Sequence, residues 1–360
     1  MRIVLLGLSI TSSWGNGHAT NYRALVRELV ARGHDVLFAE RDVPWYAAQR
    51  DLPDPLWALT RLYGSVEQLR SDFTREVRDA DLVIVGSYVP DGVEVGEWVL
   101  DTARGVRAFY DIDTPVTVGK LERGDEEYLS PSLIPRYDLY LSFTGGPMLE
   151  LLRDRFGARR PRAFYCFVDI VAYAPSEIDL RWDLGYLGTY SRDRQPVLEE
   201  LLLDPARRAA QRRYVVAGPQ YPPEIVWPPN VERIEHVAPA AHPEFYAAQR
   251  FTLNVTRAEM RRAGWSPSVR LFEAAGCGVP VISDRWPGLS ELFAPDDEIL
   301  LADNAQDVLR HLSDVPESQR RAIGARARRR VIAEHGARQR AEQLEAEVAE
   351  VMHTARRSAA

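Results

Sequence analysis

The segment SPSVRLFEAAGCGVPVISD, residues 266–284, combines residue types suited to binding a phosphorylated ligand with the pattern of a helix entering a strand. Ser266 followed by Pro267 predicts a helix start, because serine can accept hydrogen bonds from free backbone amides and proline needs no donor at the first helical position. We expect this helix to run to about Ala275. A buried strand should then follow within residues 279–283.

The predicted helix presents three polar side chains near its start, Ser268, Arg270 and Glu273. The backbone amides and positive dipole end of such a helix suit a diphosphate, and Ser268 and Arg270 add side-chain donors. Glu273 lies three residues beyond Arg270, on the same face, where its carboxylate could accept hydrogen bonds from ribose hydroxyls. A surface ion pair between Arg270 and Glu273 is the alternative.

Other residues at predicted strand ends fit the same ligand. The segment GYLGTYSRDRQP contains Gly188, which allows close backbone approach, and Arg192 and Arg194, which could neutralise a diphosphate. A tight turn with a helix capped by Asp193 explains that segment equally well. Arg257 follows another predicted strand and could face the same site.

The loop after the first predicted strand, SSWGNGHAT, contains Gly15, Asn16 and Gly17 and opens the next helix at His18. These glycines lack the G-x-G-x-x-G spacing of a dinucleotide fingerprint, so an NAD-dependent oxidoreductase is disfavoured. His18 is the first candidate for a general base, because imidazole titrates near neutrality. A structural histidine is the alternative.

Asp111 and Asp113 follow a further predicted strand, and strand alternation puts both carboxylates on one side of the chain. The two carboxylates could act together as a general base, hold acceptor hydroxyls or bind a divalent ion. We take Asp113 as the second candidate for the base or acceptor ligand, and Asp111 as part of the acceptor or diphosphate loop together with Gly15, Asn16 and Gly17.

Short apolar runs alternate with amphipathic stretches along the whole chain, which predicts an α/β fold of parallel strands and crossover helices. A first series of strands is expected at residues 2–6, 35–38, 82–85, 107–110, 139–142 and 163–167. A second series is expected at residues 184–187, 214–217, 231–234, 251–254, 279–283 and 299–302. Predicted helices in the first half cover residues 19–31, 66–78, 93–103 and 147–156.

The two series predict two Rossmann-like, doubly wound domains, 1–175 and 176–335, facing across a cleft at their strand ends. Residues 336–360 should form a C-terminal helix, either on the surface or crossing back to the first domain.

Composition excludes several classes of protein. The net charge of −7 disfavours a nucleic-acid partner, and no stretch is apolar and long enough to span a bilayer. Two cysteines far apart, without metal-type spacing, indicate a reducing cytoplasmic location. The oligomeric state cannot be inferred from these features.

The family resemblance of the chain rests on five motifs, which occur in the order GNGHATNYRAL, DIDTPVT, GYLGTYSRDRQP, LNVTR and SPSVRLFEAAGCG. Over most of residues 1 to about 300 it resembles GT-B glycosyltransferases, in particular the CgeB-like, or spore-maturation-like, branch of glycosyltransferase group 1. The resemblance implies that Glu273 binds the donor ribose and that the loop before His18 faces donor and acceptor. It also implies a metal-independent reaction without a cofactor, because GT-B enzymes generally stabilise the leaving diphosphate with helix dipoles and basic side chains.

One departure from the family pattern concerns stereochemistry. Many retaining members carry a second glutamate eight positions before the first, and this chain has Trp265 there. The expected function is sugar transfer from a nucleotide-sugar donor to an acceptor that the sequence does not identify. A nucleotide-sugar epimerase of the same fold and a catalytically silent carbohydrate-binding protein stay open as alternatives.

Overall fold

A computed structural model describes residues 1–359 and confirms the α/β class. Contacts divide the chain into two compact units. The first runs from Met1 to Tyr165 and includes the residues from Ala337 onward, and the second runs from Cys166 to Gly336.

The first unit is built on a sheet of seven strands whose pairs are all parallel. In chain order the strands are β1 Arg2–Gly7, β2 Asp35–Arg41, β3 Leu59–Tyr63, β4 Leu82–Gly86, β5 Val106–Asp111, β6 Leu139–Ser142 and β7 Pro161–Ala163. The spatial order β3-β2-β1-β4-β5-β6-β7 reverses direction between β1 and β4. Ligands of open parallel sheets bind beside such a reversal, at the carboxyl ends of the strands.

Helices connect these strands, and a 3-10 turn lies at Ile134–Arg136. The helices are α1 Ala19–Ala31, α2 Pro44–Ala47, α3 Val66–Asp79, α4 Gly92–Thr102, α5 Thr114–Glu122 and α6 Pro147–Phe156. The predicted bounds of α1 and α6 are confirmed, because their apolar residues recur with helical spacing and bury one face.

The second unit contains a six-stranded parallel sheet in the order β10-β9-β8-β11-β12-β13, which reverses between β8 and β11. Its strands are β8 Trp182–Leu187, β9 Tyr214–Ala217, β10 Val231–Ile234, β11 Gln249–Asn254, β12 Val281–Ser283 and β13 Leu300–Leu301. A π-helical turn, Glu199–Leu203, joins α7 to α8, and a 3-10 turn, Pro239–Ala241, precedes α9. The helices are α7 Gln195–Leu198, α8 Asp204–Arg208, α9 His242–Ala247, α10 Ala258–Ala263, α11 Val269–Gly276, α12 Leu289–Leu292, α13 Ala305–Asp314 and α14 Glu317–Glu334.

The last helix, α15 Ala337–Ala359, belongs to the first unit and packs along α1. Arg32 donates hydrogen bonds from Nε and Nη2 to Glu345 at 2.9 and 2.7 Å. Within residues 1–359, none of the helices combines the length and apolarity that crossing a membrane would need.

Two strand predictions in the first unit were wrong. β3 was missed because it is an edge strand with a mostly exposed or half-buried surface, so its sequence lacks a continuous apolar run. The last strand, β7, covers residues 161–163 instead of 163–167. The apolar run that predicted the longer strand reflects the burial of Phe164, Cys166 and Phe167.

Candidate active site

His18 and Asp113 lie together at the carboxyl edge of the first sheet. His18 precedes α1, Asp113 precedes α5, and His18 Nε2 is 3.7 Å from Asp113 Oδ2. Their side chains are 23% and 11% exposed. His18 Nδ1 is shielded from solvent and has no hydrogen-bond partner among the described residues. Nε2 therefore faces the carboxylate that would stabilise an imidazolium.

The turn that carries Asp113 is held by buried polar groups of β4, β5 and α5. Tyr88 donates its hydroxyl to Asp113 Oδ2 at 3.0 Å, and Ser87 Oγ accepts the amide of Ile112 at 3.1 Å. Asp111 Oδ1 accepts the amide of Asp113 at 3.3 Å. These bonds fix the direction in which the Asp113 carboxylate points.

Asp111 lies at the end of β5 and is shielded from solvent. Its side chain is fully buried, and Tyr140 and Thr117 donate hydroxyl hydrogen bonds to its two oxygens at 2.6 and 2.8 Å. Burial raises the pKa of Asp111 to about 6, although the hydrogen bonds from Tyr140 and Thr117 lower it. Neither Asp111 oxygen is accessible to solvent, and its assignment to the acceptor or diphosphate loop stays a prediction.

The loop before His18 depends on Glu40, which the sequence analysis missed. This carboxylate at the end of β2 is fully buried and accepts hydrogen bonds from Ser9 Oγ and the amides of Ile10 and Thr11 at 3.0, 2.7 and 3.0 Å. The Thr11 hydroxyl adds another at 2.6 Å. A charged residue ending an otherwise apolar strand was the only sequence signal for this role.

In the same loop, Asn16 is buried and the two glycines are exposed to solvent. Asn16 is 4% exposed, its Oδ1 accepts the amide of His18 at 3.1 Å, and its Nδ2 is a buried donor without a partner in the described part of the chain. Gly15 and Gly17 are exposed, and Gly15 has the left-handed φ of 61°. The loop therefore offers one unsatisfied donor beside the His18 imidazole.

The donor segment in the second unit differs from its prediction at the helix start. α11 begins at Val269, with Ser268 as its N-cap, so a start at Ser266 was wrong. Pro267 still fits, because it lies before the first residue that must donate a helical hydrogen bond. Ser268 Oγ donates to Asn254 Oδ1 at 2.7 Å instead of capping the helix. Ser266 is 3% exposed.

Arg270 connects the two strands that flank the reversal in the second sheet. Its Nε donates to the Leu187 carbonyl at the end of β8 at 2.6 Å, and its Nη1 donates to Asn254 Oδ1 at the end of β11 at 2.8 Å. The guanidinium stacks on Tyr186 at 4.6 Å and is 7% exposed. Arg270 therefore places a positive charge at the expected ligand position, on a rigid support.

Glu273 is surrounded by aromatic and imidazole groups. Tyr246 donates to Glu273 Oε2 at 3.0 Å, and His242 Nδ1 is 3.7 Å from the same oxygen. Burial raises the pKa of Glu273, but hydrogen bonds from His242, Tyr173 and Tyr246 and the charge of His242 outweigh it, so the pKa lies below its usual value. Glu273 is 4% exposed and stays ionised at neutral pH.

The loops after β8 and β9 approach so closely that Gly218 has no room for a side chain. Gly188 donates its amide to the Ala217 carbonyl at 2.8 Å, and Tyr221 donates to the Gly188 carbonyl at 3.2 Å. Gly218 has a φ of 137°, and a Cβ added there would overlap the Gly188 carbonyl. Gly188 thus contacts the loop after β9, and its predicted close approach to a ligand stays a prediction.

The three other arginines lie in different settings. Arg192 is exposed, whereas Arg194 donates to the Thr189 carbonyl at 2.6 Å and has a shielded Nε without a partner among the described residues. Arg257 is the N-cap residue of α10. Asp193 caps α10 by accepting the amide of Ala258 at 2.8 Å, so its predicted role as the cap of the next helix was wrong.

Trp265 occupies a left-handed position, with a φ of 43°, just before α11. Its Nε1 donates to Glu291 at 2.9 Å, and its ring lies where a Cβ at Gly288 would be. The position of a second glutamate is thus filled by a residue packed against the loop before α12.

Comparison with known proteins places these features in a family context. Residues 194–346, which cover most of the second unit and the start of α15, match the family described as "Glycosyl transferase-like". A comparison with curated protein sequences gave no match.

Solved structures are similar over nearly the whole chain. Sucrose-phosphate synthase from Thermosynechococcus elongatus has a TM-score of 0.71 at 14% identity, covering 98% of this chain and 100% of that chain. HepE from Anabaena, in complex with UDP and glucose, has a TM-score of 0.73 at 15% identity, covering 97% and 100%. An α-glucosyltransferase in complex with UDP and a 13-mer DNA has a TM-score of 0.69 at 12% identity, covering 96% and 99%.

Likeness at these identities establishes the fold. The chain therefore has the α/β GT-B fold, and residues 194–346 are similar to the glycosyl transferase-like family.

Proposed function

We propose that this protein transfers a sugar from a nucleotide-sugar donor to an acceptor hydroxyl, with its second unit as the donor side and its first unit as the acceptor side. The observation that carries the proposal is the match of residues 194–346 to the glycosyltransferase-like family, which includes the whole of α11. The CgeB-like branch stays our finer assignment, supported by the order of the five motifs.

On the donor side, α11 and the strand ends beside it provide the groups that a nucleoside diphosphate needs. Arg270 and the first backbone amides of α11 stabilise the negative charge that develops on the departing diphosphate. Arg192, Arg194 and Arg257 add positive charge from neighbouring loops. Ribose binding at Glu273 requires its tyrosine and histidine partners to admit a hydroxyl group to the carboxylate.

The donor base is proposed as uracil for the first tests. HepE has been solved with UDP-glucose, and the α-glucosyltransferase has been solved with UDP. Both share the fold of this chain. UDP-sugars are therefore the first donors to assay, ahead of dTDP- and GDP-sugars.

On the acceptor side, we assign the base to His18 and the stabilisation of its conjugate acid to Asp113. The acceptor hydroxyl gives its proton to His18 Nε2 as its oxygen bonds to the anomeric carbon, and the bond to the nucleoside diphosphate breaks. Asp113 stabilises the imidazolium that forms. The buried Asn16 Nδ2 can donate to an acceptor or diphosphate oxygen, as proposed for the glycine loop. Such a single displacement inverts the anomeric centre.

Transfer is proposed to be independent of divalent metal ions and of any cofactor. The D-x-D spacing of Asp111 and Asp113 is the one sequence feature that suggests a metal site. Both Asp111 oxygens are shielded and accept protein hydrogen bonds, so the two carboxylates do not form a chelating pair. Full activity in excess EDTA is the expected result.

We propose a small-molecule or glycan acceptor in the cytoplasm. The net charge of −7 opposes a nucleic-acid acceptor, although the α-glucosyltransferase of the same fold was solved with DNA. The two cysteines, Cys166 and Cys277, are buried thiols, which suits a reducing compartment. Absence of DNA binding at low salt would agree with this assignment.

The direct test incubates the purified protein with each nucleotide sugar, with and without a pool of candidate acceptors, and follows the products by NMR. Nucleoside diphosphate release together with a new glycoside supports transfer. Conversion of the donor to an isomer without any acceptor would show an epimerase. Binding without conversion under either condition would show a silent carbohydrate-binding protein.

A further inference from the structure

A buried asparagine at the end of β11 contacts the arginine that we assign to the donor diphosphate. Asn254 is fully buried, and its Oδ1 accepts a hydrogen bond from Arg270 Nη1 at 2.8 Å. We propose that Asn254 is a positioning residue, which orients the Arg270 guanidinium towards the diphosphate and leaves its charge unneutralised. This inference rests on the proposed function and adds a further residue to its donor site.

The amide of Asn254 has all its hydrogen-bonding positions occupied. Its Oδ1 accepts from Arg270 Nη1 and from Ser268 Oγ, at 2.8 and 2.7 Å. Its Nδ2 donates to Thr256 Oγ1 and to Ser283 Oγ, at 3.2 and 2.9 Å. A side-chain amide has two acceptor positions and two donor hydrogens, so these contacts hold Asn254 in one position.

Asp284 determines which way the amide of Asn254 faces. The Thr256 hydroxyl donates to Asp284 Oδ1 at 2.8 Å, and the Ser283 hydroxyl donates to the Asp284 carbonyl at 2.9 Å. Each hydroxyl has a single hydrogen, so both can only accept from Asn254. The NH2 group must therefore face these hydroxyls, and Oδ1 faces Arg270.

The partners of Arg270 are neutral. Nε donates to the Leu187 carbonyl at 2.6 Å, and the guanidinium stacks on Tyr186 at 4.6 Å. Within residues 1–359, the hydrogen bonds of Arg270 go only to this carbonyl and to Asn254. The residue is 7% exposed. A buried cation held by neutral groups is unfavourable on its own, so the site favours binding of an anion.

One nitrogen of the guanidinium donates no hydrogen bond to the described residues. This nitrogen, Nη2, lies beside the loop after β8, where a Cβ at Gly188 would be 2.8 Å from it. The same loop carries Arg192 and Arg194. Nη2 can therefore donate to a diphosphate oxygen, while the bonds of Nε and Nη1 fix the plane of the guanidinium.

An aspartate would fit at position 254 but would change the charge. Its carboxylate could accept the same hydrogen bonds from Arg270 and Ser268, and the ion pair would neutralise the guanidinium. A negative charge about 6–12 Å from a bound anion weakens binding by about 10–100-fold at an effective dielectric constant of about 20. Asparagine holds Arg270 without this repulsion.

The experiment measures pyrophosphate binding to the full chain by isothermal titration calorimetry. Pyrophosphate is the probe because it has neither a base nor a sugar. Asn254→Asp keeps the shape and adds a charge, whereas Asn254→Ala removes the hydrogen bond to Arg270 and adds no charge. We expect binding to weaken by about 10–100-fold in Asn254→Asp and by about 3–10-fold in Asn254→Ala.

The order of the two variants separates positioning from a purely structural role. If Asn254 only filled space and satisfied hydrogen bonds, the isosteric aspartate would keep more of the affinity than alanine. The inference predicts the reverse order. Binding by folded Asn254→Asp that is as tight as in wild type, or tighter than in Asn254→Ala, overturns it. If Asn254→Asp does not fold, wild-type affinity in Asn254→Ala overturns it.

The matched control is Asn230→Asp, the same substitution at the amino edge of the same sheet. Asn230 precedes β10, and its Nδ2 donates to the carbonyls of Ala206, Ala209 and Arg212 at 3.0, 3.3 and 3.0 Å. The variant adds the same charge and loses hydrogen bonds, so its stability should fall while its pyrophosphate affinity equals that of wild type. A loss of affinity equal to that of Asn254→Asp would overturn the inference.

Arg270→Gln separates this inference from the proposed function. Unchanged pyrophosphate binding by Arg270→Gln would contradict the place of Arg270 in the donor site. Weakened binding by Arg270→Gln together with wild-type affinity in folded Asn254→Asp would leave the donor site intact and overturn only the positioning role of Asn254.

Discussion

His18 Nε2 and Asp113 Oδ2, which come from loops after β1 and β5, are 3.7 Å apart at the carboxyl edge of the first sheet. The distance exceeds that of a hydrogen bond and suits an ion pair that forms when the imidazole takes up a proton. The Tyr88 hydroxyl holds the carboxylate in place. This arrangement supports our proposal that His18 is the base and that Asp113 stabilises its conjugate acid.

His18→Gln should lower kcat by about 10²–10⁴-fold, because the acceptor hydroxyl loses its proton acceptor. The affinity for nucleotide should not change, since the donor groups lie in the second unit. Steady-state kinetics and nucleotide titration measure both quantities. His353→Gln, an exposed histidine on α15, is the control. Near-normal turnover of His18→Gln would remove it as the base.

Glu40→Gln should destabilise the loop that carries His18. The carboxylate accepts four hydrogen bonds in a fully buried position, and an amide leaves some of those donors unpaired at a cost of about 2–4 kcal/mol. Urea unfolding measures the loss, and kcat should fall as well. Glu76→Gln, whose carboxylate is 38% exposed and paired with Arg61, should change stability by less than about 0.5 kcal/mol. Equal effects of the two variants would contradict the assigned role of Glu40.

Gly218→Ala should disrupt the contact between the loops after β8 and β9. Its φ of 137° and the nearby Gly188 carbonyl leave no room for a Cβ, so we expect a stability loss of about 1–3 kcal/mol and weaker donor binding. Gly124→Ala is the matched control, because Gly124 also has a positive φ, 74°, but an added Cβ there meets open space. A Gly218→Ala protein no less stable than Gly124→Ala would argue against the close approach.

Asp111→Asn should also change how stability depends on pH. The folded-state pKa of about 6 lies above the ordinary value of 3.8, because the carboxyl is buried, so the wild type binds a proton more readily when folded. The stability from this group is complete below about pH 4 and is lost as pH rises through 6. Between pH 4.5 and 7.5 the variant should gain about 2 kcal/mol relative to wild type. Parallel stability curves from chemical unfolding at several pH values would contradict the raised pKa.

The sequence predicted those helices and strands whose formation depends on residues within the same segment. α1 and α6 have the predicted bounds because helical periodicity of apolar residues is visible within each segment. The core strands of the second sheet followed from continuous apolar runs, as at β9. β3 carries no such run, because it lies at the edge of the sheet and pairs with a strand on one side only.

The sequence could not predict which group each polar side chain contacts. The partners of Glu40, Arg270 and Asp111 are distant in sequence and are brought close by the strand order. The same residue types exposed on the surface would give an identical sequence pattern. The N-cap of the helix is Ser268 instead of the predicted Ser266, because the Ser268 hydroxyl bonds to Asn254 at the end of β11. Local capping rules do not include such tertiary contacts.

Binding of nucleotide sugars to wild type and Glu273→Gln by isothermal titration calorimetry tests the central claim most directly. The buried, ionised carboxylate of Glu273 sits on the helix assigned to the donor, and its loss should weaken binding by about 10–100-fold. Glu334→Gln, an exposed residue at the end of α14, should bind like wild type. We predict binding of at least one among UDP-, dTDP- and GDP-sugars by wild type and the stated loss in Glu273→Gln. Equal affinity in both proteins, or no binding by wild type, would contradict the donor site.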